Sequence, residues 1–398
     1  MTKLILKNLL IGFLISFLFL SSNLLAQDRE IVFAHENFSA ILAQAKKENK
    51  LIFMDCWATW CRPCIQMANT AFKDNAAADF YNTTFVNAKF DMEKGEGIDL
   101  KNKYNVNVFP TLLFIDGDGN VVHRSAGGRD AAGIIALGKV ALNPTERFSY
   151  LRDNYEANKT DGAIVLKYLN ALRDAYVPHY EVANAYFANL SEADYLKAEN
   201  WQVIVNFVED YTIPVFKYLV QNKKVFSEKF GEKAVNDKIE QVYFQSQAKF
   251  LRRNLDEVAY NQSKELILAE NNELAKRAIK TADVYFYQVK QDWTTYVATI
   301  DELVTKMNYN DASRINSFGW TVFEQLNDAD ASSKAIKWLE IAIKLEAKAA
   351  YYDTMANLYF KTGNKPKAIE SQQKAIELAK NEGESIEQYE NTLKKFKK

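Results

Sequence analysis

The chain has 398 residues, a length that favours two or three domains of ordinary size. Hydrophobic residues make up 48% and charged residues 25%, a balance typical of folded globular proteins that excludes a disordered chain. The formal net charge of −1 lacks the positive field that attracts nucleic acid, so no nucleic-acid partner is predicted. Three cysteines exclude a disulfide-stapled scaffold, and three histidines leave little material for a histidine-rich metal site.

The first 26 residues have the layout of a cleavable secretory signal peptide. Lys3 and Lys7 precede an apolar run over Leu9–Leu20, and a small-residue cleavage site ends at Ala26. The alternative is an uncleaved N-terminal anchor, but this run is shorter than the ~20 residues that a membrane span needs. No second run approaches that length. The sequence therefore predicts a periplasmic or secreted protein, cut after Ala26, with no membrane span after signal cleavage.

Glycine content divides the rest of the chain. Nine of the 14 glycines precede residue 140, where short apolar runs alternate with helical patterns, whereas the later residues are rich in helix formers. Pro144 restricts Asn143 and would stop a helix there. The sequence therefore predicts an α/β domain over 27–143, followed by an all-α region over 144–398.

Strands and helices alternate in the first predicted domain, which ends in a hairpin and a helix. The predicted strands are 30–34, 51–56, 85–92, 111–116 and 121–125. The predicted helices are 38–49, one beginning at Cys61, 98–104 and 130–142. This order indicates an α/β sandwich around a mixed sheet.

Cys61 and Cys64, separated by two residues at a strand–helix junction, can close a small disulfide ring. The N–H groups and dipole at the start of a helix favour the thiolate of Cys61. Lowering a thiol pKa from ~8.5 to ~7 needs only ~2 kcal/mol. We therefore predict that Cys61 is the attacking nucleophile and Cys64 the resolving thiol. The Arg62 cation should favour the thiolate further and make the disulfide easier to reduce.

The alternative for this pair is half of a zinc site, which would need two more ligands. Cys56 and the scattered His35, His123 and His179 do not supply a second pair. The sequence therefore predicts no metal and no cofactor. Cys56 is interpreted as a small core residue, because it alternates with Asp55 along its strand.

The run Trp57-Ala58-Thr59-Trp60-Cys61-Arg62-Pro63-Cys64 resembles the active-site motif of the thioredoxin family. The resemblance covers roughly residues 30 to 142 and implies the thioredoxin fold with thiol–disulfide exchange activity. Asp55 then fits the family's buried acid, which accepts and returns the proton of the resolving cysteine. Lys89 fits the lysine that pairs with this acid. Pro110 fits the proline that follows a cis peptide bond and packs beside the dithiol.

Residues around the dithiol are expected to meet the client protein. Arg62 replaces the glycine common in cytosolic thioredoxins, and Phe109 precedes the presumed cis-proline where a smaller aliphatic residue is usual. Both should lie on the surface that contacts a client disulfide, and the Phe109–Pro110 backbone should hold the client strand. The predicted client-binding residues are Trp60, Arg62, Pro63, Phe109 and Pro110.

A repeat occupies the end of the chain. Residues 335–345 are echoed by residues 368–378, a period of 33 residues. The segment 349–380 resembles a tetratricopeptide repeat, on the aromatic, small and apolar residues Tyr352, Ala356, Tyr359, Gly363, Ala368 and Ala375. We predict tetratricopeptide-like repeats and a terminal helix over 315–398, and a helical region, partly degenerate repeats, over 144–314. Such repeats commonly bind proteins, so a protein partner is expected on them.

Together these features predict an exported thiol–disulfide oxidoreductase that reduces protein disulfides through a Cys61–Cys64 dithiol/disulfide cycle. Its expected partners are client proteins with disulfides and an electron donor or acceptor that the sequence does not name. Reductase, oxidase and isomerase directions stay open. The alternative function is a protein-interaction scaffold, in which the repeats hold a partner and the thioredoxin domain is an accessory or redox tether.

Overall fold

The computed structural model describes residues 29–251 and 255–398. The predicted signal peptide lies outside the described residues. The chain divides into two compact units, one ending at Phe207 and the other beginning at Val208. In the described part of the chain, no helix is both long enough and apolar enough to cross a membrane.

A four-stranded mixed sheet forms the centre of the first unit, with the strand order β2-β1-β3-β4. Strand β1 runs parallel to β2 and antiparallel to β3, and β3 and β4 form a hairpin. The strands are β1 (Ile52–Trp57), β2 (Val86–Asp91), β3 (Thr111–Ile115) and β4 (Val121–Ala126). The helices beside them are α1 (Phe38–Glu48), α2 (Arg62–Asn69), α3 (Asn75–Thr84), α4 (Glu96–Lys103) and α5 (Ala131–Leu142). This arrangement confirms the predicted α/β class, the mixed sheet and the hairpin.

The prediction of a strand over residues 30–34 is wrong, because this segment forms only a single bridge, to Ala88. The N–H of Val32 donates to Asn82 Oδ1 over 2.9 Å, and Asn82 Nδ2 donates to the Glu30 carbonyl over 2.9 Å. A side chain, rather than a neighbouring strand, therefore satisfies part of this backbone.

Alternate residues of β1 enter two different cores. Phe53 packs on Phe114 at one face of the sheet, while Met54 and Cys56 belong to the cluster on the other face. Side chains alternate along a strand, so Asp55 takes the side of Phe53. Cys56 is fully buried, which confirms its interpretation as a core residue.

Helices that follow the sheet belong to the same unit, and the first two of them pack against β4. They are α6 (Phe148–Ala157), α7 (Gly162–Asp174), α8 (Tyr180–Ala188) and α9 (Ala198–Phe207). The N–H of Phe148 donates to His123 Nδ1 over 3.1 Å, and Ser125 Oγ donates to the Asp174 carbonyl over 3.4 Å. Helical structure after residue 143 thus adds to the compact unit that holds the sheet. The predicted domain boundary at 143/144 stays a prediction.

The second unit consists of helices joined by short connections. They are α10 (Pro214–Gln221), α11 (Lys223–Phe230), α12 (Glu232–Ala248), α13 (Glu257–Ala269), α14 (Glu273–Lys290), α15 (Trp293–Lys306), α16 (Ala312–Gln325), α17 (Ala329–Leu345), α18 (Ala349–Lys361), α19 (Lys365–Glu382) and α20 (Glu387–Lys397). Gly363 joins α18 to α19 with a φ of 81°, a conformation that side chains with a Cβ disfavour. Ala356 and Ala368 are fully buried where these helices meet. Such close pairing is consistent with the predicted helical repeats.

Trp338 belongs to the core of the second unit, where its side chain is fully buried. Its Nε1 also donates to Asp301 Oδ1 over 3.0 Å. We expect Trp338→Ala to lower the free energy of unfolding by about 3–5 kcal/mol, because it opens a large cavity and removes a hydrogen bond. Urea unfolding followed by circular dichroism would measure this loss. Trp60→Ala is the control, because Trp60 is 66% exposed and its removal should leave stability nearly unchanged.

Candidate active site

The paired cysteines lie where β1 gives way to α2. Cys61 is the N-cap of α2, and its Sγ accepts a hydrogen bond from the Cys64 N–H over 3.2 Å. Pro63 lies in the first turn of the helix, where a missing N–H removes no helical hydrogen bond. Cys61 and Cys64 are joined as a disulfide. The predicted ring at a strand–helix junction is therefore present.

The two sulfur-bearing side chains differ slightly in access to solvent. Cys61 is 2% exposed and Cys64 is 0% exposed, and both pack with Ala58 against Trp57 and Phe109. Cys61 also caps a helix N-terminus, where backbone N–H groups and the helix dipole favour a thiolate. The capping position suits Cys61 to be the attacking thiolate and Cys64 to be the resolving thiol.

Asp55 and Lys89 form an ion pair across β1 and β2. The two residues are direct partners in the parallel ladder, and Lys89 Nζ lies 2.9 Å from Asp55 Oδ2. Asp55 is fully buried, and neither of its oxygens accepts a well-aligned hydrogen bond from a described residue. Burial raises the pKa of Asp55, and the nearby Lys89 charge offsets only part of that rise. A buried carboxyl with a raised pKa is suited to exchange protons during catalysis.

Lys89 is held by aromatic rings as well as by Asp55. Its Nζ lies 4.9 Å from the ring centroid of Trp57, 5.3 Å from that of Phe72 and 5.6 Å from that of Phe33. Ring faces attract a cation at these distances. Phe33 and Phe72 were not among the predicted site residues, because their sequence carries no signal beyond being apolar.

Trp60 and Phe109 form an aromatic rim above the dithiol. Trp60 is 66% exposed and meets Phe109 edge to face, with ring centroids 5.8 Å apart. Trp60 Nε1 donates to Glu93 Oε2 over 2.8 Å, and Lys101 Nζ lies 5.5 Å from the Phe109 centroid. Glu93 and Lys101 follow β2 in the chain, and no pattern in the sequence places them here. The rim presents apolar surface flanked by one acid and one base.

The Phe109–Pro110 peptide bond is cis, as predicted. The carbonyl of Pro110 accepts a hydrogen bond from the Gly127 N–H over 2.9 Å. Gly128 lies beside the dithiol helix, because a Cβ added there would be 3.4 Å from Pro63 Cβ. The two adjacent glycines after β4 are a sequence signal for this close approach, and neither was among the predicted site residues.

Arg62 is exposed on the first turn of α2, beside the dithiol. It therefore lies on the surface that a molecule approaching Cys61 would meet. Its guanidinium is the nearest cation to Cys61 in the sequence, which keeps the expectation of a favoured thiolate.

The described residues supply no further ligands for a zinc site at the cysteine pair. Within residues 29–251 and 255–398, no group of three or more His, Cys, Asp or Glu could hold a metal ion. Cys56 is buried, and burial, followed by the charge of Asp55, raises the pKa of its thiol. Such a thiol stays protonated and unreactive. The arrangement therefore leaves Cys61 and Cys64 as the reactive pair.

Comparisons with known proteins agree with this chemistry. Residues 29–139 match the family model for thioredoxin. The thiol:disulfide interchange protein DsbD of Yersinia pestis is 34% identical over 96 residues, which cover 23% of this chain and 16% of that protein. Thioredoxin-1 of Drosophila melanogaster is 37% identical over 68 residues, which cover 17% of this chain and 59% of that protein. A candidate disulphide-isomerase of known structure from Bacteroides thetaiotaomicron is 44% identical, with a TM-score of 0.28, over 29% of this chain and 97% of that one.

The chain thus spans less than two thirds of the length of these two curated relatives. The family match includes the sheet, the cysteine pair and the Asp55–Lys89 pair, and it ends before α6. Most of the helical residues lie outside it. Residues 29–139 therefore form a thioredoxin-family domain, and they contain the Cys61–Cys64 pair and the Asp55–Lys89 pair.

Proposed function

We propose that this protein is an exported reductase of protein disulfides that cycles between a Cys61–Cys64 dithiol and a disulfide. The observation that carries the proposal is the position of the pair. Cys61 caps the N-terminus of the dithiol helix α2, and the same domain holds a fully buried Asp55 paired with Lys89. A domain retained only for its shape would not need this combination.

In the first step, the Cys61 thiolate attacks one sulfur of a client disulfide. A bond forms between Cys61 Sγ and that sulfur, the client S–S bond breaks, and the second client sulfur leaves as a thiolate that takes up a proton. The rim of Trp60 and Phe109 would cover the client segment. The backbone at Phe109–Pro110 would hold that segment beside the dithiol.

In the second step, Cys64 resolves the mixed disulfide. The Cys64 thiol loses its proton to the Asp55 carboxylate, and the new thiolate attacks Cys61 Sγ. The client's remaining sulfur leaves with the bonding electron pair, and the Cys61–Cys64 disulfide forms. Two electrons have then passed to the client, so a dithiol donor must reduce the pair before the next cycle.

The reduction potential of the Cys61–Cys64 pair tests the proposal. We expect a value much nearer to thioredoxin's ~−270 mV than to the ~−120 mV of a strong periplasmic oxidant, with Arg62 moving it somewhat above the most reducing end. The protein would be equilibrated in graded thiol buffers, and alkylation of free thiols would be read by gel shift.

Cys56→Ala is the matched control. Cys56 is buried on the face of β1 opposite to Asp55, so its substitution should not change the reduction potential of the Cys61–Cys64 pair. A value near ~−120 mV would identify a disulfide donor instead of a reductase. A pair that never cycles would contradict the enzyme function. It would favour the interaction scaffold, in which the helices hold a partner.

Export and partner binding complete the proposal. The charged and apolar pattern of residues 1–26 supports cleavage after Ala26 and a periplasmic or secreted location, which N-terminal sequencing of the cell-fractionated protein would test. The paired helices α16–α17 and α18–α19 support tetratricopeptide-like repeats that bind a protein partner. Their sequence period of 33 residues points the same way.

A further inference from the structure

A cavity of about 440 Å³ lies in the first unit, between β4, α5, α6 and α7. His123, Ser125 and Leu137 form its buried part, and Arg129 and Asn170 lie half-buried beside them. Its volume is within the range of about 300–1,000 Å³ that small-molecule sites occupy. None of the steps proposed for the dithiol uses it.

The cations at the cavity are not paired with the acids that also line it. Arg129 and Lys167 line it, and neither forms a salt bridge with a carboxylate of a described residue. Arg124 also borders the cavity, but its guanidinium donates to the Asn105 carbonyl over 3.3 Å. Arg129 donates to Ser125 Oγ over 2.6 Å, which is a neutral partner. Of the two acids at the cavity, Glu146 is exposed and Asp174 lies 4.0 Å from Arg173. A half-buried guanidinium without a counter-charge, as at Arg129, favours an anion as its missing partner.

His123 adds a fixed hydrogen-bond donor to the cavity wall. Its Nδ1 accepts the Phe148 N–H over 3.1 Å, so the proton of the neutral ring must be on Nε2. Burial, together with the charge of Arg129, lowers the pKa of His123 to about 4, so the ring is neutral at neutral pH. Nε2 is buried and has no hydrogen-bond partner among the described residues. A buried donor left unmatched is costly, and a ligand oxygen would satisfy it.

The remaining wall is apolar, which decides the class of anion. Leu137, Val140, Leu151 and Ala171 come from α5, α6 and α7 and face the same cavity. An inorganic ion would leave this surface without a partner. We propose that the cavity binds a small organic carboxylate, with its carboxylate at Arg129 and His123 and its apolar body against these side chains.

Calorimetric titration of the purified protein with octanoate tests the proposal. We expect saturable binding of one octanoate, with octanol and inorganic phosphate each bound at least about tenfold more weakly, because each lacks one half of the ligand. NMR would locate the site, since the chain has only three histidines. The Nε2–H signal of His123 should shift with octanoate, and the signals of His35 and His179 should not.

Arg129→Gln should weaken octanoate binding by about tenfold or more, whereas Arg129→Lys, which keeps the charge, should weaken it less. The matched control is Arg152→Gln, because Arg152 pairs with Asp153 and does not line the cavity. Melting curves would establish that each variant is folded. Absence of saturable octanoate binding, equal binding of octanol, or an unmoved His123 signal would each overturn the proposal, whatever the variants do.

Discussion

Replacing Cys64 with serine should leave the protein covalently joined to its clients through Cys61. Cys61 caps the N-terminus of α2, where its thiolate is favoured, and can still attack a client disulfide. The serine hydroxyl that the substitution introduces at this buried position does not ionise, so it cannot resolve the bond. Client disulfide reduction should fall to the uncatalysed rate. Non-reducing gels of cells that express Cys64→Ser should show high-mass bands that disappear when a reductant is added.

Two other cysteine variants make this result specific. Cys61→Ser should trap nothing, because the attacking thiolate is gone. Cys56→Ser should behave as the unchanged protein, since Cys56 is fully buried and burial raises its thiol pKa. Trapping by Cys61→Ser in place of Cys64→Ser would reverse the assigned roles. A failure of both to trap any client would favour the scaffold function over the enzyme.

The centre of the site could be predicted because it is local in the sequence. Asp55, Cys61, Pro63 and Cys64 lie within ten residues, and their relation follows from strand alternation and from the position of a helix start. Placing Lys89 opposite Asp55 needed the family resemblance. The register that pairs the two residues is set by how β1 and β2 pack, and composition does not reveal it.

The surroundings of the site depend on tertiary contacts between distant residues. Phe33 precedes the dithiol in the chain and Phe72 follows it, and both rings lie near Lys89 Nζ. Their apolar character predicted burial, but not against a cation. The segment around Val32 read as a strand because its residues are apolar, yet Asn82 takes its hydrogen bonds. The order of apolar and polar residues along a segment cannot show whether a side chain or a neighbouring strand takes its backbone hydrogen bonds.

Asp55→Asn should slow resolution of the mixed disulfide by about 10²-fold, because Cys64 then loses its proton acceptor. In the unchanged protein the rate of this step should rise with pH as Asp55 ionises, above the usual carboxyl range since burial raises its pKa. The variant should lose this rise. Lys89→Met should move the rise to higher pH, because the Lys89 charge lowers the pKa of Asp55. Rapid-quench measurements of client release across pH would record all three profiles.

Asp79→Asn is the matched control for rate, because Asp79 is 54% exposed and pairs with Arg29 away from the dithiol. Resolution by Asp55→Asn at the unchanged rate would remove Asp55 from the mechanism. Cys64 would then pass its proton directly to solvent.

Asp55→Asn should make the protein more stable at neutral pH, although it slows the resolution step. A carboxyl with a raised pKa holds its proton more tightly in the folded state than in the unfolded state. Its ionisation therefore costs stability as pH rises from the ordinary carboxyl pKa through the raised one, and the full cost is present above both. Asparagine cannot ionise, so the gain of Asp55→Asn in the free energy of unfolding should be small near the ordinary carboxyl pKa of about 4 and grow with pH.

Urea titrations at low and neutral pH would measure this difference. Lys89 has no acidic partner in the variant, but its side chain is 21% exposed and keeps its three aromatic neighbours. The stability lost by unpairing Lys89 should therefore be smaller than the stability gained by removing the buried charge of Asp55. A variant that is less stable than the unchanged protein at neutral pH would mean that the ion pair stabilises the fold. A more stable and slower variant would mean that Asp55 lowers the stability of the domain and is needed as the proton acceptor.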